Sequence, residues 1–234
     1  MRRQHRERMS TRGWRVATPF PAVARAQVLA TAALLALRPA ALAQSGESAG
    51  QALEILPLAE EARLALSAAP EHLRDGAGVV ALTPDGFVTV RESRNGFTCV
   101  VNRDHPLNRK PTCYDAEGTA TILPKVEFVG ELLLEGVDPT EIGRRVEAKF
   151  DAGEFISPRR PGIAYMLSSE IRNYNPRTGK VGSFPPHLMF YAPNLTNDDI
   201  GASFEARREN PWLPFIGYQG PHGFMIVVVG KPGP

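Results

Sequence analysis

The chain holds two cysteines among its 234 residues, Cys99 and Cys113, and both fall in the stretch 95–115, N-G-F-T-C-V-V-N-R-D-H-P-L-N-R-K-P-T-C-Y-D. A bond between them closes a loop of about 15 residues, worth about 3 kcal/mol when the chain-entropy model is applied. Asn95-Gly96 ahead of Phe97 is a turn signal that feeds a strand over 97–101. The polar segment 102–111, which carries Pro106 and Pro111, reads as a loop, and Cys113-Tyr114 returns toward the strand. The pair is therefore expected to staple a polar excursion onto a sheet. Redox-active and metal-binding cysteine pairs use closer spacing, so that reading is set aside.

Whether the bond forms depends on the compartment. Residues 1–43 carry a basic leader, an apolar run over 28–37 and an A-x-A site at Ala41-Leu42-Ala43. That pattern is expected of a signal peptide with Gln44 as the mature N-terminus. A flexible tether over 44–56 and one domain over 57–234 follow. The leader's apolar run is shorter than the roughly 18 residues a bilayer span needs. No later segment reaches that length either, so no membrane span is expected after signal removal. Export of this kind places a bacterial protein in the periplasm or outside the cell, where disulfides persist.

The leader holds eight Arg and one Glu. Without it the chain carries 19 Lys and Arg against 24 Asp and Glu, and the net charge moves from +2 to −5. A mildly acidic domain has no bulk electrostatic reason to seek nucleic acid or an anionic membrane. The expected partner is a small ligand or another protein.

Upstream of the cysteines, 78–83 and 87–91 are rich in β-branched residues and flank Pro84-Asp85-Gly86, a hairpin signature. With 97–101 as a third antiparallel strand, this part is expected to be a meander. A helix over 57–69 should precede it, with Leu58, Ala62, Leu66 and Ala69 on one face and Glu60, Glu61 and Arg63 off it. Downstream, Leu123, Val126, Val129, Leu132 and Leu133 recur at helical spacing, and Gly136 sits where a C-terminal cap belongs. A second helix starts at Asp138-Pro139, with Ile142, Val146 and Phe150 as its stripe. Together they form a helical hairpin.

Three apolar runs close the chain, at 162–168, 187–192 and 224–229. They are apolar on alternate and intervening positions alike, so central strands covered on both faces are expected. The fold class is α+β: a largely antiparallel β-sheet with an N-terminal helix and a central helical hairpin packed on it.

N-G-F-T-C from Asn95, P-T-C-Y-D from Pro111, G-I-A-Y-M-L from Gly162, P-H-L-M-F-Y from Pro186 and Q-G-P-H from Gln219 occur in that order. Together they resemble a group of uncharacterised secreted bacterial proteins. The resemblance covers most of the chain from about Ala65 onward. It implies one fold with the cysteine pair as part of it, and it brings no activity, ligand or catalytic residue.

Chemistry-bearing residues are few. His72 and His105 lie in polar surroundings. His187 and His222 each follow a proline and open an apolar strand, where an imidazole needs a partner. In one reading each is hydrogen-bonded to a backbone carbonyl or carboxylate and orients a loop. In the other, both line one pocket with Tyr165 or Glu170, as an acid/base pair or as metal ligands. The second requires the two strands to run parallel, because direct antiparallel neighbours put their starts at opposite ends. Zinc-site spacings, a G-x-S-x-G elbow and a glycine-rich phosphate loop are absent from the sequence. No metal and no cofactor is expected. The first expectation for function is a non-enzymatic small-ligand- or protein-binding module. The alternative is a metal-assisted or acid/base hydrolase centred on His187 and His222.

Overall fold

The computed structural model describes residues 52–231. The expected signal peptide and the first part of the tether lie outside them. Chain order runs α1 (Leu58–Leu66), α2 (Glu71–Arg74), β1 (Gly78–Thr83), β2 (Gly86–Arg91), β3 (Thr98–Asn102) and β4 (Lys110–Tyr114). Then come α3 (Ala116–Thr121), α4 (Leu123–Leu134), α5 (Pro139–Asp151), β5 (Ile163–Met166), β6 (Arg172–Asn175) and β7 (Lys180–Ser183). Last are β8 (His187–Tyr191), α6 (Phe204–Glu209), β9 (Phe215–Tyr218) and β10 (Phe224–Val228).

Eight strands form one sheet in the order β2-β1-β3-β4-β5-β8-β10-β9, and β6-β7 is a separate hairpin. The fold is α+β with a mostly antiparallel sheet, as the sequence pattern implies. The meander is corrected. β3 does not continue beyond β2; it crosses to the other side of β1 and pairs with it in parallel, through Gly78↔Thr98 and Val79↔Cys99. The reason lies in what flanks β1. β2 is an edge strand whose Val88 and Val90 are exposed, whereas β3 is buried over four of its five residues and needs the centre of the sheet.

Period-2 alternation splits the core into two layers. On one face Val80, Val100, Ala164, Met166, Met189 and Tyr191 pack with Ile122, Leu123 and Val126 at the start of α4. On the other, Val79, Cys99, Val101 and Cys113 pack with Leu64, Ala65 and Ala68 of α1 and its C-terminal extension. Cys99 and Cys113 are direct cross-strand partners on β3 and β4, joined by a disulfide and fully buried beneath α1.

The inward face of α1 differs from the expected one. Glu61, Leu64, Ala65 and Ala68 are buried, and Leu58 is 48% exposed. A carboxylate can take an inward position because a guanidinium waits there: Arg103 Nη1 and Nη2 donate to Glu61 Oε1 and Oε2, each at 2.8 Å. The helix rotates to satisfy that pair rather than to bury Leu58.

The helical hairpin is present. α4 closes with Gly136 at φ +76° while Val137 N–H donates to the Leu132 carbonyl at 2.9 Å, a Schellman-type end. Asp138 caps α5 by accepting from Thr140 N–H at 2.8 Å. Glu141, in the first turn of α5, pairs with Arg144 and Arg145. Gly130 lets α4 approach the sheet, because a Cβ there would meet the Phe87 ring at 2.7 Å.

The C-terminal strands also depart from expectation. β5 is central, but on β8 His187, Met189 and Tyr191 are buried while Leu188 and Phe190 are half-buried, and β10 is half-buried throughout. The layer under α1 stops at β4 and β5, so β8 is fully covered on one face only and β10 on neither. Asp115 ties the chain together at one end of the sheet. Its Oδ1 accepts from Gly118 N–H at 2.9 Å and from the Tyr191 hydroxyl at 2.7 Å; its Oδ2 accepts from Ile163 N–H at 2.9 Å.

Candidate functional site

The sequence singled out His187, His222, Tyr165 and Glu170, and the structure does not bring them together. β8 and β10 are adjacent and antiparallel, with His187 opposite Val228 and Tyr191 opposite Phe224. His222 lies two residues before Phe224, so at least the length of β8, about 13 Å at the usual rise per residue, separates the two imidazoles. Tyr165 pairs with Leu188 while Met166 pairs with His187. Tyr165 therefore faces the disulfide layer, its ring 5.8 Å from that of Phe97, and His187 faces the other layer. That geometry removes the basis for a hydrolase centred on the two histidines.

Each imidazole instead holds a loop. His187 Nδ1 lies 2.8 Å from the Pro185 carbonyl and its ring meets Phe184 edge-on at 4.8 Å. Burial lowers its pKa. His222 is fully buried, its Nε2 lies 2.9 Å from the Ile156 carbonyl, and its ring meets Phe150 edge-on at 4.7 Å. Its Nδ1 has no hydrogen-bond partner among the described residues. Burial, reinforced by the charge of Lys125, pushes its pKa down to about 4.

Glu170 belongs elsewhere, to a cleft of about 540 Å³ between α1, the β5–β6 connection and β7. Three local features build it. Ser67 Oγ and Ser168 Oγ are hydrogen-bonded at 2.8 Å and Leu167 N–H donates to the Ala68 carbonyl at 3.1 Å, which fastens the β5–β6 connection to the end of α1. Arg109 and Arg172 exchange two backbone hydrogen bonds, at 3.0 and 2.9 Å, which fixes β6 to the loop 103–109. Inside that loop Asp104 accepts from Asn108 at 2.6 Å and Lys110 at 2.7 Å, and Asn108 Oδ1 accepts from Tyr174 N–H at 2.5 Å. His105 stacks on Tyr174 at 4.2 Å, so it is a packing residue and not merely solvated.

The walls carry Glu60 and Leu64 from α1, Glu170 and Ile171 from the connection, Arg172 from β6, and Val181 from β7. A second hollow of about 210 Å³ lies beside the first and shares Arg109 and Arg172 with it. Arg63 donates to both oxygens of Glu170, at 2.8 and 3.0 Å, and that bonding lowers the Glu170 pKa. Arg109 Nη2 sits 3.2 Å from Glu54 Oε2. A concave surface of this size with opposed charges over an apolar floor suits a small polar molecule.

Sequence reasoning missed Arg103, Arg109 and Arg172. Arg103 had a signal: Glu61, Leu64, Ala65 and Ala68 follow the i, i+3, i+4, i+7 rule, and a carboxylate on that stripe demands a buried cation. Arg109 and Arg172 had none, because nothing local pairs two residues 63 positions apart.

Among the described residues no three His, Cys, Asp or Glu side chains converge as a metal site, and no helix is long and apolar enough to cross a membrane. Comparison with protein-family models, with curated proteins and with solved structures finds no match for this chain.

Proposed function

We propose that this chain is an exported, non-enzymatic module that binds a small ligand in the cleft between α1, the β5–β6 connection and β7. The observation that carries the reading is the cleft itself, about 540 Å³ with Glu60, Glu170, Arg109 and Arg172 among its lining residues. That volume lies in the range of small-molecule sites. The buried disulfide supports folding in an oxidising space, and the resemblance to secreted proteins points the same way.

The test is a thermal-shift screen of the purified chain against polar small molecules, repeated with Gly182→Trp. Gly182 lines the cleft, and a Cβ placed on it meets no atom within 4 Å, so the bulk of an indole is added at the lining of the hollow without displacing backbone. The expected result is stabilisation of the parent that the variant loses while keeping its circular dichroism spectrum. Stabilisation that survives in Gly182→Trp places the ligand elsewhere and overturns the reading. So does a screen in which nothing stabilises the parent.

A further inference from the structure

The charges around the cleft do not all cancel. Arg63 is committed to both oxygens of Glu170, and Arg109 to Glu54. Glu60 contributes to raising the Arg63 pKa, after the larger effect of Glu170, but the guanidinium does not turn to it. Among the described residues Glu60 and Arg172 form no ion pair and their side chains make no hydrogen bond. One stands on the α1 wall and the other on the β6 wall of the same hollow. They line one space without reaching each other.

A simple anion entering this cleft gains Arg172 but meets Glu60 and Glu170. A simple cation gains Glu60 but meets Arg109 and Arg172. A molecule carrying both signs satisfies both walls, and Val181 and Leu64 offer apolar surface to the part between. Resting on the cleft as the ligand seat, we infer that the ligand is a zwitterion of amino-acid to dipeptide size. Its carboxylate meets Arg172 and its ammonium meets Glu60. The guanidinium's planar fork suits the carboxylate, and the flexible glutamate suits the point charge of an ammonium.

Isothermal titration calorimetry with three probes tests this: the dipeptide Ala-Ala, N-acetylalanine, which lacks the ammonium, and alaninamide, which lacks the carboxylate. Removing either charge-assisted hydrogen bond should weaken binding by about tenfold or more. Ala-Ala should therefore bind the parent tightest. Glu60→Gln should weaken Ala-Ala and leave N-acetylalanine unchanged, and Arg172→Gln should weaken Ala-Ala and leave alaninamide unchanged. Both positions are exposed, so neither change threatens folding.

N-acetylalanine or alaninamide binding as tightly as Ala-Ala overturns the zwitterion. If Gly182→Trp abolishes that binding, the cleft reading stands while the zwitterion falls. If Gly182→Trp leaves it intact, both fall. No heat with any of the three probes also overturns the zwitterion, and the thermal-shift screen then decides the cleft on its own.

Discussion

Glu61 and Arg103 form a two-pronged ion pair with both side chains inside the protein, at 0% and 1% exposure. Arg103 Nη1 also donates to the Val101 carbonyl at 2.9 Å. The pair joins the middle of α1 to the first residue after β3. It therefore sets the rotation of the helix: with Glu61 turned inward, its neighbour Glu60 is turned to the cleft. One buried ion pair links the disulfide layer to the candidate binding site.

Breaking that pair on one side strands a charge in the core. Glu61→Ala or Arg103→Met should each destabilise by roughly 3–5 kcal/mol, and the double replacement by Met at both positions should recover most of the loss. Urea unfolding measures both. Singles that cost no more than the double would show that neither charge is left stranded, and the pair would not be a structural latch.

The disulfide should behave as a protected staple. Both cysteines are fully buried under α1, so a mild reductant should leave the native protein without free thiols, and reduction should require denaturant. Replacing both by Ala should lower stability by about 3 kcal/mol with secondary structure retained. Thiol titration and thermal melts read the two parts. Rapid reduction of native protein would mean that the α1 layer opens freely.

Much of the fold was legible in the chain because its signals are local. The Pro84-Asp85-Gly86 turn, the 3.6-residue stripes of α4 and α5 and the apolar runs of β5, β8 and β10 each declare themselves within about a dozen residues. What failed was long-range. The parallel β1–β3 pair leaves no trace in either strand, since both are apolar and only their neighbours decide which edge is taken. The α1 face was misplaced because a carboxylate counts as outward until its partner, 42 residues on, is known. The site suffered most. His187 and His222 stood out as polar residues opening apolar strands, and their antiparallel register separates them. The cleft joins Arg109 to Arg172 through backbone hydrogen bonds that no residue type announces.

Asp115 and Tyr191 should show strong coupling. Burial raises the Tyr191 pKa, and the hydrogen bond to Asp115 raises it further, so the phenol stays protonated and donates. Tyr191→Phe loses the hydrogen bond to the carboxylate, about 1.5–3 kcal/mol, together with the 3.0 Å contact of the same hydroxyl to the Ile163 carbonyl. Asp115→Ala should cost more, because Gly118 N–H at the start of α3 and Ile163 N–H at the start of β5 lose their acceptor as well. A double-mutant cycle on urea midpoints measures the interaction. Strictly additive losses would show that the hydroxyl and the carboxylate do not depend on each other.

Stability should fall in mild acid, and His222 should account for much of the fall. Its pKa is depressed to about 4 by burial, against an ordinary value of 6.5. The unfolded chain therefore binds this proton more readily than the folded one between those two values. The contribution of the neutral imidazole is complete above pH 6.5 and is lost as pH drops through that window to about 4. The total is up to about 3 kcal/mol by the linkage relation. His187, lowered in the same direction by burial, adds to the slope. Unfolding free energies measured from pH 7 to 4 should decline for the parent and decline less for His222→Gln, whose amide can still donate to the Ile156 carbonyl. Equal slopes for the two proteins would show that the buried imidazole does not set the acid sensitivity.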